Sequence, residues 1–169
     1  VIHANKMTVY RTKIGAFWAV DSPSGTAVGG DDAVVAKVVL GNSSNVANYD
    51  TIIKNLNFSI NSVGITNSAV RELKIFADGV TVGNLLATYT YASGTSFTDS
   101  AILDTNFTSK YITAGSSKTF IVTLDTQDAG VNDKIIVSMD ANDVLWSDGV
   151  SDVSLTPLYL PLIPKTILY

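Results

Sequence analysis

The chain has 169 residues, enough for one domain with a substantial core, and 46% of them are apolar while only 15% carry charge. Fifteen acidic against eleven basic residues leave a net charge of −4, and no basic stripe exists to displace counterions from phosphate, which excludes nucleic acid as a partner. Cysteine is absent, so disulfides and thiolate metal sites are excluded, and no apolar run reaches the roughly 18 residues of a membrane-spanning helix.

In chain order, residues 1–6 read as a flexible N-terminus. Met7 to Val20 alternates as a long first strand with bulk on both faces: Tyr10, Thr12, Ile14, Ala16 and Trp18 on one, Val9, Arg11, Lys13 and Phe17 on the other. The cluster Asp21 to Gly25 and the run Gly29-Gly30-Asp31-Asp32 are loop. Ala33 to Leu40, AVVAKVVL, is almost uninterrupted by polar residues and predicts a strand buried on both faces or one at the centre of a sandwich. Its β-branched valines and the stop at Gly41-Asn42-Ser43 argue against a helix.

Ile52 to Ile60 alternates Leu56, Phe58 and Ile60 against Asn55, Asn57 and Ser59, one dry face and one wet. Arg71 to Ala77 repeats the pattern, and Asp78-Gly79 predicts a type I′ hairpin turn leading into Val80 to Val82. Leu85 to Tyr91, Ala101 to Leu103, Thr119 to Leu124 and Lys134 to Met139 follow as strands between Gly- and Ser-rich punctuation. The fold class is therefore all-β: an antiparallel β-sandwich, jelly-roll or Ig-like, of about nine to ten strands in a single domain over residues 1–169.

The last sixteen residues, Ser154 to Tyr169, crowd apolar side chains around Pro157, Pro161 and Pro164. Each proline removes a backbone donor and pushes its predecessor towards extended geometry, so the stretch is an extended arm. Such an arm either closes its own domain or completes the sheet of a neighbour. The second choice gives an assembly interface of Val9, Tyr10, Ile14, Phe17 and Trp18 from the first strand with Leu158, Tyr159, Leu160, Leu162, Ile163, Ile167, Leu168 and Tyr169 from the arm.

Among small-ligand candidates, Asp140, Asn142, Asp143 and Asp148 are the oxygen-rich set a calcium ion wants, weighed against a solvated loop of Asx-turns. Asp31-Asp32 is a lesser one. Trp18, Trp146, Tyr89, Tyr91, Tyr159 and Tyr169 are a sugar platform or, more often for such rings, core, and Trp146 sits where a strand reaches the rim. Asn42 and Asn106 head Asn-x-Ser/Thr sequons and are glycosylation candidates. With His3 the sole histidine and no selected carboxylate pair, no catalytic signature is present, and the expectation is that the chain is not an enzyme.

Thr8-Val9-Tyr10-Arg11-Thr12-Lys13-Ile14, Asp21-Ser22-Pro23-Ser24-Gly25, and Trp146-Ser147-Asp148-Gly149 before a Leu/Pro-rich end resemble the C-terminal β-sandwich module of large secreted surface proteins of candidate-phyla-radiation bacteria. The resemblance runs over most of the chain and implies a cell-surface location and a structural or adhesive role, with no catalytic residues. The module standing almost alone suits a processed subunit or a small surface protein better than the end of a giant one. The sequence reading is thus an extracellular structural subunit that self-assembles into a filament or surface layer by strand or arm exchange. Its partners are other copies of itself, and calcium is the one cofactor considered. The alternative is a monomeric adhesin or carbohydrate-binding module whose partners are glycans.

Overall fold

The computed structural model describes residues 9–65, 71–91, 97–103, 109–150 and 157–169, with the backbone path alone for 97–103. Alternation of apolar and polar side chains sets the strands. Ile14–Trp18 forms β1, Gly25–Thr26 β2, Ala33–Asn42 β3, Thr51–Val63 β4, Arg71–Ala77 β5 and Leu85–Tyr91 β6. Phe97–Leu103 is β7, Tyr111–Ile112 β8, Ser117–Leu124 β9, Lys134–Met139 β10, Val144–Ser147 β11 and Leu162–Leu168 β12.

They build a five-stranded sheet in the order β1-β3-β9-β5-β6 and a seven-stranded sheet whose path runs β11-β4-β10-β12-β2. The thirteen-residue β4 is the spine of the second sheet. Along one edge it carries β10 and β11 end to end; along the other it carries β7 and β8. Pairing is mostly antiparallel, with β2 against β12 parallel.

Inward side chains of both sheets meet in one buried cluster: Val38, Leu40, Leu73, Ile75, Phe120 and Val122 from the first, Leu56, Phe58, Ile60, Ile135, Val137 and Met139 from the second. A two-sheet β-sandwich results, each fully buried large side chain contributing about 1.5–3 kcal/mol relative to exposure. The two sheets hold more strands than the nine or ten expected, because the two-residue pairings β2 and β8 leave no alternation to read.

Three local expectations need correction. The first strand is Ile14–Trp18, not Met7 to Val20. Ahead of Ile14 the chain swings to the other sheet, where the Arg11 amide donates to Asp148 at 3.1 Å and the Tyr10 ring lies 6.5 Å from Trp146. Strand β3 is buried on one face only: Val38 and Leu40 are in the core, whereas Lys37, Val39 and Gly41 are half-buried on the outer face. Its run of valines reports strand propensity, not two-sided burial.

The Asp78-Gly79 hairpin is not a two-residue turn. Asp78 has φ 60°, yet its amide and carboxylate are both engaged by Thr119 of β9, and a short 3-10 turn at Val82–Asn84 precedes β6.

The arm resolves to the domestic alternative. Leu158 bridges β1, its amide donating to the Ile14 carbonyl at 2.8 Å and its carbonyl accepting from Ala16 at 3.0 Å. The chain then crosses to the other sheet, where β12 pairs with β10 from Lys134↔Leu168 to Met139↔Leu162. Residues 1–8, with His3, and residues 154–156 of the arm lie outside the described residues.

Candidate functional site

Where the arm crosses β1, the surface is shaped by two glycines. Gly15 and Gly41 face each other across the β1–β3 ladder. Tyr159, with a left-handed backbone of φ 71°, lays its ring over Gly15, where a Cβ would meet the ring edge at 3.3 Å. Phe17 stands beside Gly41. With Leu158 they enclose a hollow of about 210 Å³ on a floor without side chains.

The polar side chains of Asn42 and Ser43 at its rim are already used. The Ser43 hydroxyl donates to the Lys13 carbonyl at 3.1 Å. Asn42, 3% exposed, donates from Nδ2 to the carbonyls of Tyr49 at 2.8 Å and Ile112 at 3.1 Å, and its Oδ1 accepts from the Ser44 amide at 3.0 Å and from the Thr12 hydroxyl. The hollow therefore offers an apolar, aromatic-walled slot with few free hydrogen-bonding groups, the chemistry of a receptor for an apolar side chain.

The expected assembly residues divide by burial. Ile14 and Ile167 are core and can contact nothing outside. Trp18, Leu160, Leu162 and Tyr169 pack half-buried against the core, with the Trp18 indole donating to the Ile163 carbonyl at 2.7 Å, and Tyr10 is half-buried beside Trp146. Val9, Phe17, Leu158, Leu168, Tyr159 at 73% and Ile163 at 84% remain exposed.

The acidic loop does other work. Asp143 accepts from the Asp140 amide at 2.6 Å and from Asn57 Nδ2 at 2.8 Å; Asp148 accepts from the amides of Arg11 and Val150; Asp140 and Asn142 are exposed. Carboxylates spent on backbone amides close turns, and among the described residues no three His, Cys, Asp or Glu converge as a metal site would. Asp32 instead binds Lys74, at 2.8 and 2.9 Å, and Glu72 adds a contact at 3.0 Å. Hydrogen bonds from Asp32 and then Glu72 push the Lys74 ammonium pKa up. In the same way the Lys37 ammonium lowers the pKa of the exposed Asp21 carboxyl.

Trp146 is 2% exposed, so it is core and not a sugar platform. Asn42, with its amide donating twice inside the fold, is no glycan acceptor in the folded chain; Asn106 lies outside the described residues.

Two features escaped sequence reasoning. Asn42 is a hub joining the N-terminal segment, β3 and β8, and its only visible signal was a sequon. Arg71 is a charged side chain only 1% exposed at the start of β5. Burial pushes its guanidinium pKa down, while Asp125, Asp128 and Tyr169 act the other way. Burial pushes the Tyr169 phenol up, against a hydrogen bond with Thr126 and the charge of Arg71.

No family model and no curated protein matches the chain. Among solved structures, one described as "AvmM Catalyzes Macrocyclization in Alchivemycin A Biosynthesis" matches with TM-score 0.36 and 8% identity over 94% of this chain and 87% of that chain. That match, to a macrocyclization catalyst, stands against the expectation that the chain is not an enzyme, which is withdrawn. At this TM-score the likeness assigns neither a reaction nor a residue to the chain. No helix among the described residues is long and apolar enough to cross a membrane.

Proposed function

We propose that the chain is a structural subunit of an extracellular assembly made of copies of itself, joined through the side of the sandwich where the arm crosses β1. Exchange of the arm between copies is no longer the route, because its backbone is paired at home. The observation that supports the reading is what the arm leaves in water. Phe17, Leu158 and Tyr159 stay exposed around an apolar hollow although the Leu158 backbone is paired with β1, and Ile163 further along the arm is exposed as well.

A contiguous apolar patch of this kind on a soluble domain marks a contact surface. A patch receiving a different surface of the next copy generates an open chain when the rotation does not close. The sequence resemblance to secreted surface modules supports the extracellular location. A carbohydrate-binding role has less to rest on, since Trp146 is enclosed and the Asn42 and Ser43 side chains beside the slot are already hydrogen-bonded.

Light scattering over a wide concentration range, with negative-stain microscopy, tests the reading. Assemblies are expected from the native chain and are expected to dissolve on Tyr159→Asp, which places a charge in the patch without touching the core. A native chain that stays monomeric throughout, or assemblies indifferent to Tyr159→Asp, would remove the basis of the proposal.

A further inference from the structure

The first sheet ends in two strands that are treated differently. On the β1 side the outward carbonyl of Ile14 and amide of Ala16 are taken by Leu158. At the opposite end stands β6, and among the described residues nothing pairs with its outer edge.

The hydrogen bonds on the other side of β5 show which groups that edge offers. The Asp125 amide donates to the Glu72 carbonyl and the Asp78 amide to the Thr119 carbonyl, so the even-numbered residues of β5 direct N–H and C=O towards β9. The odd-numbered ones therefore turn to β6, where Arg71, Leu73 and Ile75 face Tyr91, Tyr89 and Ala87. In an antiparallel ladder the residues between those partners point the other way. Thr88 and Thr90 thus present both backbone groups to the open edge, with their side chains exposed.

Soluble proteins guard such edges with lysine, proline, bulges or a covering segment. The stretch LLATYTY has no charge and no proline, and its irregularity falls at Leu86, before the regular part begins. The outer strand β7 of the second sheet, by contrast, carries Asp99.

We propose that β6 is a pairing edge whose occupant is β6 of a second copy, antiparallel about a two-fold axis at Tyr89. The partner's chemistry is set by what is offered: alternate backbone donors and acceptors at Thr88 and Thr90 match another extended backbone. Placing Thr88 of one copy opposite Thr90 of the other sets outward groups against outward groups and satisfies both residues on both copies. Exposed threonines then pair across the join, a favourable cross-strand match, and the two Tyr89 rings meet at the axis. No like charges oppose each other, because the charges next to the edge, Glu72 and Lys74 of β5, differ in sign, and the two-fold sets Glu72 of one copy in line with Lys74 of the other.

Such a contact is self-complementary and closes as a dimer, whereas the arm side lies at the far end of the same sheet. The inference rests on the self-association reading for the identity of its partner, and it adds a second, distinct contact by which dimers would become the growing unit.

The test combines light scattering with residue-resolved amide exchange on the full chain, from micromolar to millimolar protein. In the native chain, exchange at Thr88 and Thr90 is expected to slow at least about tenfold with concentration, while Tyr89, bonded within the sheet, is slow throughout. Thr88→Pro deletes an outward donor without touching the β5 pairing and is expected to abolish the dimer; Thr88→Val keeps the N–H and is expected to retain it. Tyr159→Asp is expected to leave dimers that no longer grow.

Association that survives Thr88→Pro but not Tyr159→Asp overturns the edge pairing and leaves the arm-side contact standing; the reverse pattern overturns the arm-side contact. Exchange at Thr88 and Thr90 that is fast at every concentration, or slow at every concentration because the chain covers its own edge, overturns the edge pairing whatever the variants do.

Discussion

Replacing Asn42 by alanine isolates the largest polar contribution the structure places in one side chain. The residue is 3% exposed and makes four side-chain hydrogen bonds: to the Tyr49 and Ile112 carbonyls, from the Ser44 amide and from the Thr12 hydroxyl. Truncation leaves two buried carbonyls, an amide and a hydroxyl without that partner. At a net 0.5–1.5 kcal/mol per bond the sum is about 4 kcal/mol, and water entering the small void recovers part, so a loss of about 3 kcal/mol is expected.

That is a large fraction of the roughly 5–15 kcal/mol by which domains are stable. Urea unfolding followed by tryptophan fluorescence measures it, since Trp18 and Trp146 both sit in ordered surroundings; the midpoint should fall at unchanged slope. Thr12→Val in both backgrounds supplies the double-mutant cycle, and the Thr12 effect should nearly vanish once Asn42 is gone. A loss below about 1 kcal/mol, or full additivity of the two changes, would refute the hub.

Gly29→Ala places a Cβ 2.3 Å from the Thr126 carbonyl oxygen, which also accepts from the Ala129 amide at 3.0 Å. The backbone must part there, and thermal unfolding should show a cost of about 2 kcal/mol. Lys74 and Tyr169 both have folded pKa values raised above their ordinary values near 10, the first by Asp32 and then Glu72, the second by burial. The stability each contributes is complete below the unfolded value and is lost as pH rises through the folded one. Melting temperature should therefore fall on the alkaline side above about pH 10, and Tyr169→Phe should flatten part of that slope; an unchanged slope would count against the burial of the phenol. Arg71→Met removes the charge that favours the phenolate, so the Tyr169 titration followed by NMR should move further up; a downward move would mean that Arg71 is not facing it.

Much of the strand content was readable because a strand's side-chain period is local. Leu56, Phe58 and Ile60 alternate with Asn55, Asn57 and Ser59 whatever lies beside them, and the structure buries the first three. The extended run Leu162–Leu168 of the arm was legible for an equally local reason, the prolines, whereas the left-handed turn at Tyr159 and the arm's place against β1 and β10 were not. Of the expected interface, Ile14 and Ile167 went to the core while Tyr159 and Ile163 stayed outside, although all four look alike as apolar residues on strands.

Sequence alone determined the all-β class, the faces of the regular strands and the extended geometry of the C-terminal end, since backbone restriction and period-two alternation act within a few residues. Tertiary structure decided which strand neighbours which, that Gly15 and Gly41 meet beneath Tyr159 and Phe17, that Asn42 is a buried hub, and that among the described residues the outer edge of β6 has no partner. Those outcomes depend on hydrogen bonds and packing between residues far apart in the chain, and the residues of an edge strand carry the same alternation as those of a paired one.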